Sequence, residues 1–253
     1  MVKGGSNGRS PYTPAAQRRE QMRAALAELK KQGIDCQPVV AKGRKIAHTP
    51  WGRKWCDNVD GYSDYRDYGI RLFDGPTFVR SGAVLDLRIT DGMVDALVFD
   101  SQVCKVRVGI RELHESGWDA FVAECAGETG LLVDLLQGQL TDAVIKMVMR
   151  LDASVLPTAR QIGFTCTCKE QAPMCRHVAA TLYAVGSRLD TQPELLFKLR
   201  NVDLEELIRQ VGSVPATATD ASASSLEEAN LSALFGIEID TPAPKKRPRR
   251  KKT

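Results

Sequence analysis

The spacing of apolar residues shifts from helical to alternating and back again along the chain. Over residues 15–31, Met22, Leu26 and Leu29 recur on one side among many Arg and Lys, and Gly33 follows as a stop. This predicts a basic helix with a thin apolar stripe, only partly formed on its own. Between residues 39 and 68 aromatics and charges interleave without a clear period: Trp51, Trp55, Tyr62, Tyr65 and Tyr68 among Arg53, Lys54, Arg66 and several Asp. Alternation then begins. Leu85, Leu87 and Ile89 alternate with Asp86 and Arg88, Asp91-Gly92 signals a two-residue hairpin, and Val94, Ala96 and Val98 line a second strand. Cys104, Val106, Val108 and Ile110 face one way in a third, with Lys105, Arg107 and Arg111 opposite. The pattern predicts an antiparallel meander with one buried and one wet face, Asp86 and Asp95 sharing the wet one.

Helical spacing returns at Trp118, Phe121, Val122 and Cys125, capped by Ser116, and continues through Leu131–Leu136. Thr141 opens a further helix with Val144, Ile145, Val148 and Met149, which Pro157 interrupts. Ile162 and Phe164 predict a short strand running into Cys166. Val178, Leu182 and Val185 line a helix that ends near Pro193, and Asp203 caps a last one through Ile208. The expected fold is α+β: an antiparallel β meander packed with a helical segment and a small zinc finger, with flexible basic termini. The expected divisions are a basic arm with its helix (1–45), the meander and helical region (46–160), the finger and following helices (161–211), a small-residue linker (212–230), and a short apolar segment with a basic tail (231–253).

Composition narrows the class. Hydrophobic residues make up 43% and charged residues 26%, ordinary for a globular protein. The apolar runs are too short to span a membrane, and the N-terminus has no hydrophobic secretory segment. Seven cysteines without an export signal predict a reducing, cytoplasmic setting, nucleoid-associated if the protein binds DNA, and metal-bound thiolates in place of a disulfide framework. The net charge of +4 hides segregation. Residues 1–55 hold 12 Lys/Arg against 3 Asp/Glu, and residues 245–253 hold 7 basic residues and no acid, so two basic ends flank an acidic body. Such ends are attracted to phosphate.

The chemistry concentrates in the run CTCKEQAPMCRH. Cys166, Cys168, Cys175 and His177 form C-x-C-x₆-C-x-H, three thiolates and one imidazole, a full tetrahedral set for Zn²⁺. With every position taken by protein, the ion has none left for water or substrate, so the site builds structure and does not catalyse. Two positions along a helix turn through about 200°, so Cys175 must lie at or just before a helix start, with His177 in its first turn. Pro173 supports a start there, and the helix N-terminus favours ionised thiolates. Lys169 and Arg176 are close enough in sequence to offset the formal negative charge of the loaded site. The competing readings are ordinary buried cysteines, a redox pair of Cys166 with Cys168, iron–sulfur ligation, and a Cys175/His177 nucleophile and base. Cys104 and Cys125 read as core, Cys36 and Cys56 carry no assignment, and His48 and His114 read as isolated.

This order of ligands followed by a helix resembles the SWIM zinc finger. The segments WGRKWCDNVDGYSDY, VRSGAVLDLRI, VCKVRVGI, MCRHVAATLYAVGSRLD, PELLFKLRNVDLEEL and LFGIEI are similar to successive blocks of bacterial SWIM zinc finger proteins. KEQAPM stands where the family has a Pro-Asp-Trp-like stretch, and RLFDGPTFVRSG lacks a Gly-Arg pair of the family. The resemblance implies a Zn²⁺-binding adaptor without enzymatic activity, encoded beside a Swi/Snf-type helicase-like ATPase, that binds nucleic acid (DNA above all) or protein. Lys245, Lys246, Arg247, Arg249, Arg250, Lys251 and Lys252 are the foremost candidates for phosphate contact, and Arg88, Lys105, Arg107 and Arg111 on the wet strand face come second. Trp51 and Trp55 suit core packing better than base stacking. The alternatives are a pure protein-interaction module with solubilising tails, and a thiol redox sensor.

Overall fold

The alternating segments form the predicted meander. In the computed structural model, β1 (Val84–Thr90), β2 (Met93–Phe99), β3 (Val103–Ile110) and β4 (Ile162–Cys166) make one four-stranded antiparallel sheet in that order. The structure describes residues 15–41, 43–113 and 155–202, all within the unit Met1–Pro215. The helices expected over 116–149 and 203–208, the linker and the basic tail lie outside the described residues.

Register explains which side is buried. Leu87 pairs with Ala96 and Ala96 with Val106, while Val98 pairs with Cys104 and Val108 with Phe164, so these side chains share the face towards the helices. A register shift between Val84 and Asp86 lets Val84, Leu85 and Leu87 all be buried in β1. Gly92 turns the first hairpin at φ +65°. The wet face is less wet than expected at one point: Asp86 is only 5% exposed. The chain at Asp35–Val39 runs along the outer edge of β1, where Val39 N–H donates to Val84 C=O, Leu87 N–H to Gln37 C=O, and Gln37 N–H to the Asp86 carboxylate at 2.7 Å. That segment hides the strand edge and buries the acid with a partner, as burial of a charge requires.

Six α-helices are described. α1 spans Ala15–Lys31, as predicted, and buries Met22 and Leu29. It ends where Gly33 takes φ +80° and Ile34 N–H returns to Leu29 C=O. α2 (Pro50–Asp60), α3 (Gly69–Leu72) and α4 (Gly75–Ser81) fill the stretch in which no period was legible. α5 (Arg176–Leu189) is the central helix, and α6 (Leu195–Leu199) follows it.

α5 is buried on nearly every side, from His177 through Gly186, because the sheet covers one face and α2 and α4 cover the others. Close approach needs glycines at two crossings. A Cβ on Gly186 would meet the Cys56 sulfur at 2.5 Å, and one on Gly75 would meet Tyr183 and the backbone of Ala179 within 2.9 Å. Trp55 has no exposed surface and donates its indole N–H to Leu182 C=O at 2.8 Å, while Trp51 donates to Leu189 C=O at 2.7 Å. Trp55 is thus a core residue, and the half-buried Trp51 packs against that core. Asp190, just past α5, accepts from His48 N–H, Thr49 N–H and Thr49 Oγ1–H, locking the start of α2 to the end of α5.

Candidate metal centre

The last residue of β4 is Cys166, and β3 fixes its direction. Cys166 pairs with Val106, whose side chain is buried, so the Cys166 sulfur is on the helix-covered face. The strand then turns. Thr167 N–H still donates to Lys105 C=O, and Cys168, two residues on, comes back to the same side with its N–H 3.5 Å from Cys166 Sγ. The loop over 169–174 is pinned from both ends. Met174 is buried beneath it, and Glu170 receives Arg71 Nε of α3 at 2.5 Å, Arg176 Nη2 at 3.5 Å and the Arg176 backbone N–H at 3.4 Å.

Cys175 is the N-cap of α5, in extended backbone, and His177 lies in the first turn. This is the arrangement the C-x-H spacing demands, since a regular helix across both residues would point them apart. The four donor atoms of Cys166, Cys168, Cys175 and His177 all lie within 4.8 Å of one another. A tetrahedral site with metal–sulfur bonds of about 2.3 Å has donor–donor edges of about 3.8 Å, so an ion would draw these groups in by an ångström or less.

Electrostatics agree with a metal site. His177 is 4% exposed, and neither ring nitrogen makes a hydrogen bond of ordinary length. Buried nitrogens left so cost free energy that a bound cation would recover. Cys175 is pushed up to about 12 by its hydrogen bond with Cys166 and by burial. Burial alone would lower His177, yet the Asp100 carboxylate and the thiols of Cys175 and Cys168 outweigh it and raise the imidazole to about 10. Without a metal, both groups therefore carry protons at neutral pH. The ion must displace those protons, so its affinity rises with pH and falls in acid. Metal retention against a chromophoric chelator should decline steadily from about pH 8 to about pH 6; a flat profile would contradict ligation by these residues.

Several neighbours were not singled out in the sequence. Asp100, in the turn from β2 to β3, places Oδ2 3.8 Å from His177 Nε2, and its other oxygen is 3.4 Å from Arg18 Nη2 of α1. Phe78 of α4 meets the imidazole edge-on at 5.8 Å between centroids. Cys104, expected as core and 2% exposed, lies beside the cluster; burial pushes its thiol up to about 11, and its sulfur is close enough to Cys166 to share a hydrogen bond. Only register shows this, because Cys104 is far away in sequence. The expected charge compensation is also revised. Arg176 is engaged by Glu170, so its charge is paired before any ion arrives, while Lys169 is exposed.

The second group of candidate cations is placed on the outer sheet face. Arg88 pairs with Asp86 at 2.9 Å and Arg107 with Asp95 at 2.7 Å, leaving them less available to a polyanion, while Lys105 is exposed. Residues 245–252 lie outside the described residues.

Among the described residues no helix is long and apolar enough to cross a membrane. No protein-family model and no solved structure matches the chain. A Mycobacterium tuberculosis protein (strain ATCC 25618 / H37Rv), called uncharacterized protein Rv2102, is 27% identical over 186 residues, which are 72% of this chain and 66% of that protein. The chain thus spans slightly under two thirds of its relative's length, and the likeness brings no function with it. What the residues themselves establish is an α+β fold that gathers three cysteines and a histidine into a group able to hold a metal ion.

Proposed function

We propose that this protein is a zinc-stabilised, non-enzymatic adaptor of the SWIM type, which binds nucleic acid through its basic termini and docks onto a helicase-like ATPase. The observation that carries the metal half is the donor set itself: three sulfurs and one imidazole within 4.8 Å, on a strand end and a helix start. Soft thiolates with one imidazole in a tetrahedral arrangement select Zn²⁺ over Mg²⁺ or Ca²⁺, which take oxygen. Four protein donors complete the coordination, so the ion's work is to join β4 to α5.

The nucleic-acid half is supported by charge. The run KKRPRRKKT and the cation-rich first 55 residues flank an acidic body, and such segments release counterions on meeting a phosphate backbone. The ion pairs of Arg88 and Arg107 shift the weight from the sheet to the termini. Contacts of this kind give affinity without sequence readout.

An electrophoretic shift with duplex and single-stranded DNA tests this. The intact chain should shift both at modest salt, and deletion of residues 241–253 should weaken binding about tenfold or more and flatten the salt dependence. No shift by the intact, metal-loaded protein would overturn the nucleic-acid reading. If pulldown with the intact chain then still recovered an ATPase, the protein would be an interaction module whose tails only solubilise it.

A further inference from the structure

Around His177 three residues from three separate elements converge. Asp100 presents Oδ2 to Nε2 at 3.8 Å from the β2–β3 turn. Arg18 of α1 reaches the same carboxylate at 3.4 Å. Its guanidinium also lies over the Phe78 ring, 4.9 Å from the centroid, and Phe78 stands at 90° to the imidazole. The ring is thus bounded by an aromatic wall and faced by an acid, and one arginine holds both.

A ligating imidazole has two tasks, and the nitrogen that does not bind the metal decides how well the other does. A carboxylate at that second nitrogen keeps the proton there, fixes the ring's orientation and raises the basicity of the ligating nitrogen. We propose that Asp100 is the positioning residue of the metal centre: it holds a proton on Nε2 of His177, which assigns Nδ1 to the ion, and Arg18 fixes Asp100 in place. This rests on the metal reading above and adds to it the tautomer, the outer partner and a tie between the basic helix α1 and the centre.

The geometry favours this over a surface ion pair. Asp100 is 29% exposed and His177 5% by side chain, so the contact is screened far less than a pair in open water. The turn that carries Asp100 is itself fixed, with Phe99 N–H donating to Ala83 C=O at 2.8 Å and Asp100 N–H to Gln102 C=O at 3.1 Å. Arg18 also spans from α1 to the turn and to α4, so removing it loosens Asp100 without touching a ligand.

The test uses the full chain loaded with Zn²⁺ and compares wild type, Asp100→Asn, Asp100→Ala and Arg18→Leu. Affinity is read by competition with a chromophoric chelator, and the tautomer by ¹⁵N-resolved NMR of the imidazole in the wild type. Asp100→Ala should weaken affinity about 10–100-fold, with Asp100→Asn and Arg18→Leu moving it the same way by smaller factors. The wild-type spectrum should show the proton on Nε2. Affinities of Asp100→Ala and Asp100→Asn within twofold of wild type, or a proton on Nδ1, would overturn the proposal. A merely structural role for Asp100 would lower the thermal midpoint of metal-free and loaded protein alike and leave zinc affinity unchanged; that result also overturns it. The tautomer readout needs no variant and so remains decisive if one fails to fold. A wild type that takes up no zinc sinks the metal reading itself, and this inference with it, an outcome distinct from zinc bound equally well without Asp100.

Discussion

Cys175→Ser is expected to abolish stoichiometric metal binding and to lower unfolding stability by more than about 4 kcal/mol, a size reserved for events such as loss of a structural metal. The reason is positional. Cys175 is both a donor and the N-cap of α5, the helix against which the sheet, α2 and α4 all pack. Without the ion, the loop from Cys168 to Cys175 is held by the Glu170 contacts and buried Met174, and the His177 nitrogens stay buried without normal partners. Elemental analysis and urea denaturation check this together. Chelator should bring the wild type down to the level of the variant and leave the variant itself unmoved, because both perturbations remove the same interaction. Unchanged metal content and midpoint in Cys175→Ser would refute the metal centre.

Trp55→Ala should cost about 3–5 kcal/mol by the cavity route. Trp55 has 0% exposure, its Cδ1 lies 3.2 Å from where a Cβ on Gly186 would stand, and its indole N–H satisfies Leu182 C=O. Because α2 and α5 meet backbone to backbone at Gly52 and Gly186, neither helix can easily move in to fill the hole. Trp55→Phe should fall between the two, keeping most of the ring volume and losing the hydrogen bond. The fraction of Trp55→Ala that remains folded should still bind metal at wild-type stoichiometry. That contrast with Cys175→Ser separates the helical core from the metal loop. Equal stability of Trp55→Ala and wild type would mean that the α2–α5 contact is not part of the stable fold.

The local patterns carried a good share of the architecture. Residues i and i+2 of a strand share a face whatever surrounds them, so Leu85–Ile89, Val94–Val98 and Cys104–Ile110 declared the meander. Gly33 marked the end of α1, and the ligand spacing placed Cys175 at the start of α5 by geometry alone. α2 was missed, although Thr49 followed by Pro50 is a start signal and Trp51, Trp55 and Val59 repeat every fourth residue; Thr49 Oγ1 does accept Gly52 N–H. α3 and α4 are short, and their stability comes from docking on α5, which no window of a few residues contains.

By itself, then, the amino-acid order determined the α+β class, the strand faces and the four candidate metal donors, because strand alternation and the C-x-C and C-x-H spacings are properties of adjacent residues. Only the tertiary structure decided that Asp86 is buried under Asp35–Val39, that Arg88 and Arg107 spend their charge on acids, and that Cys104 lies against the cluster. It also decided that Asp100 and Arg18, distant from His177 in sequence, are its neighbours in space. Each of these depends on contacts between residues far apart in the chain, and such contacts exist only once register and helix packing have closed the fold.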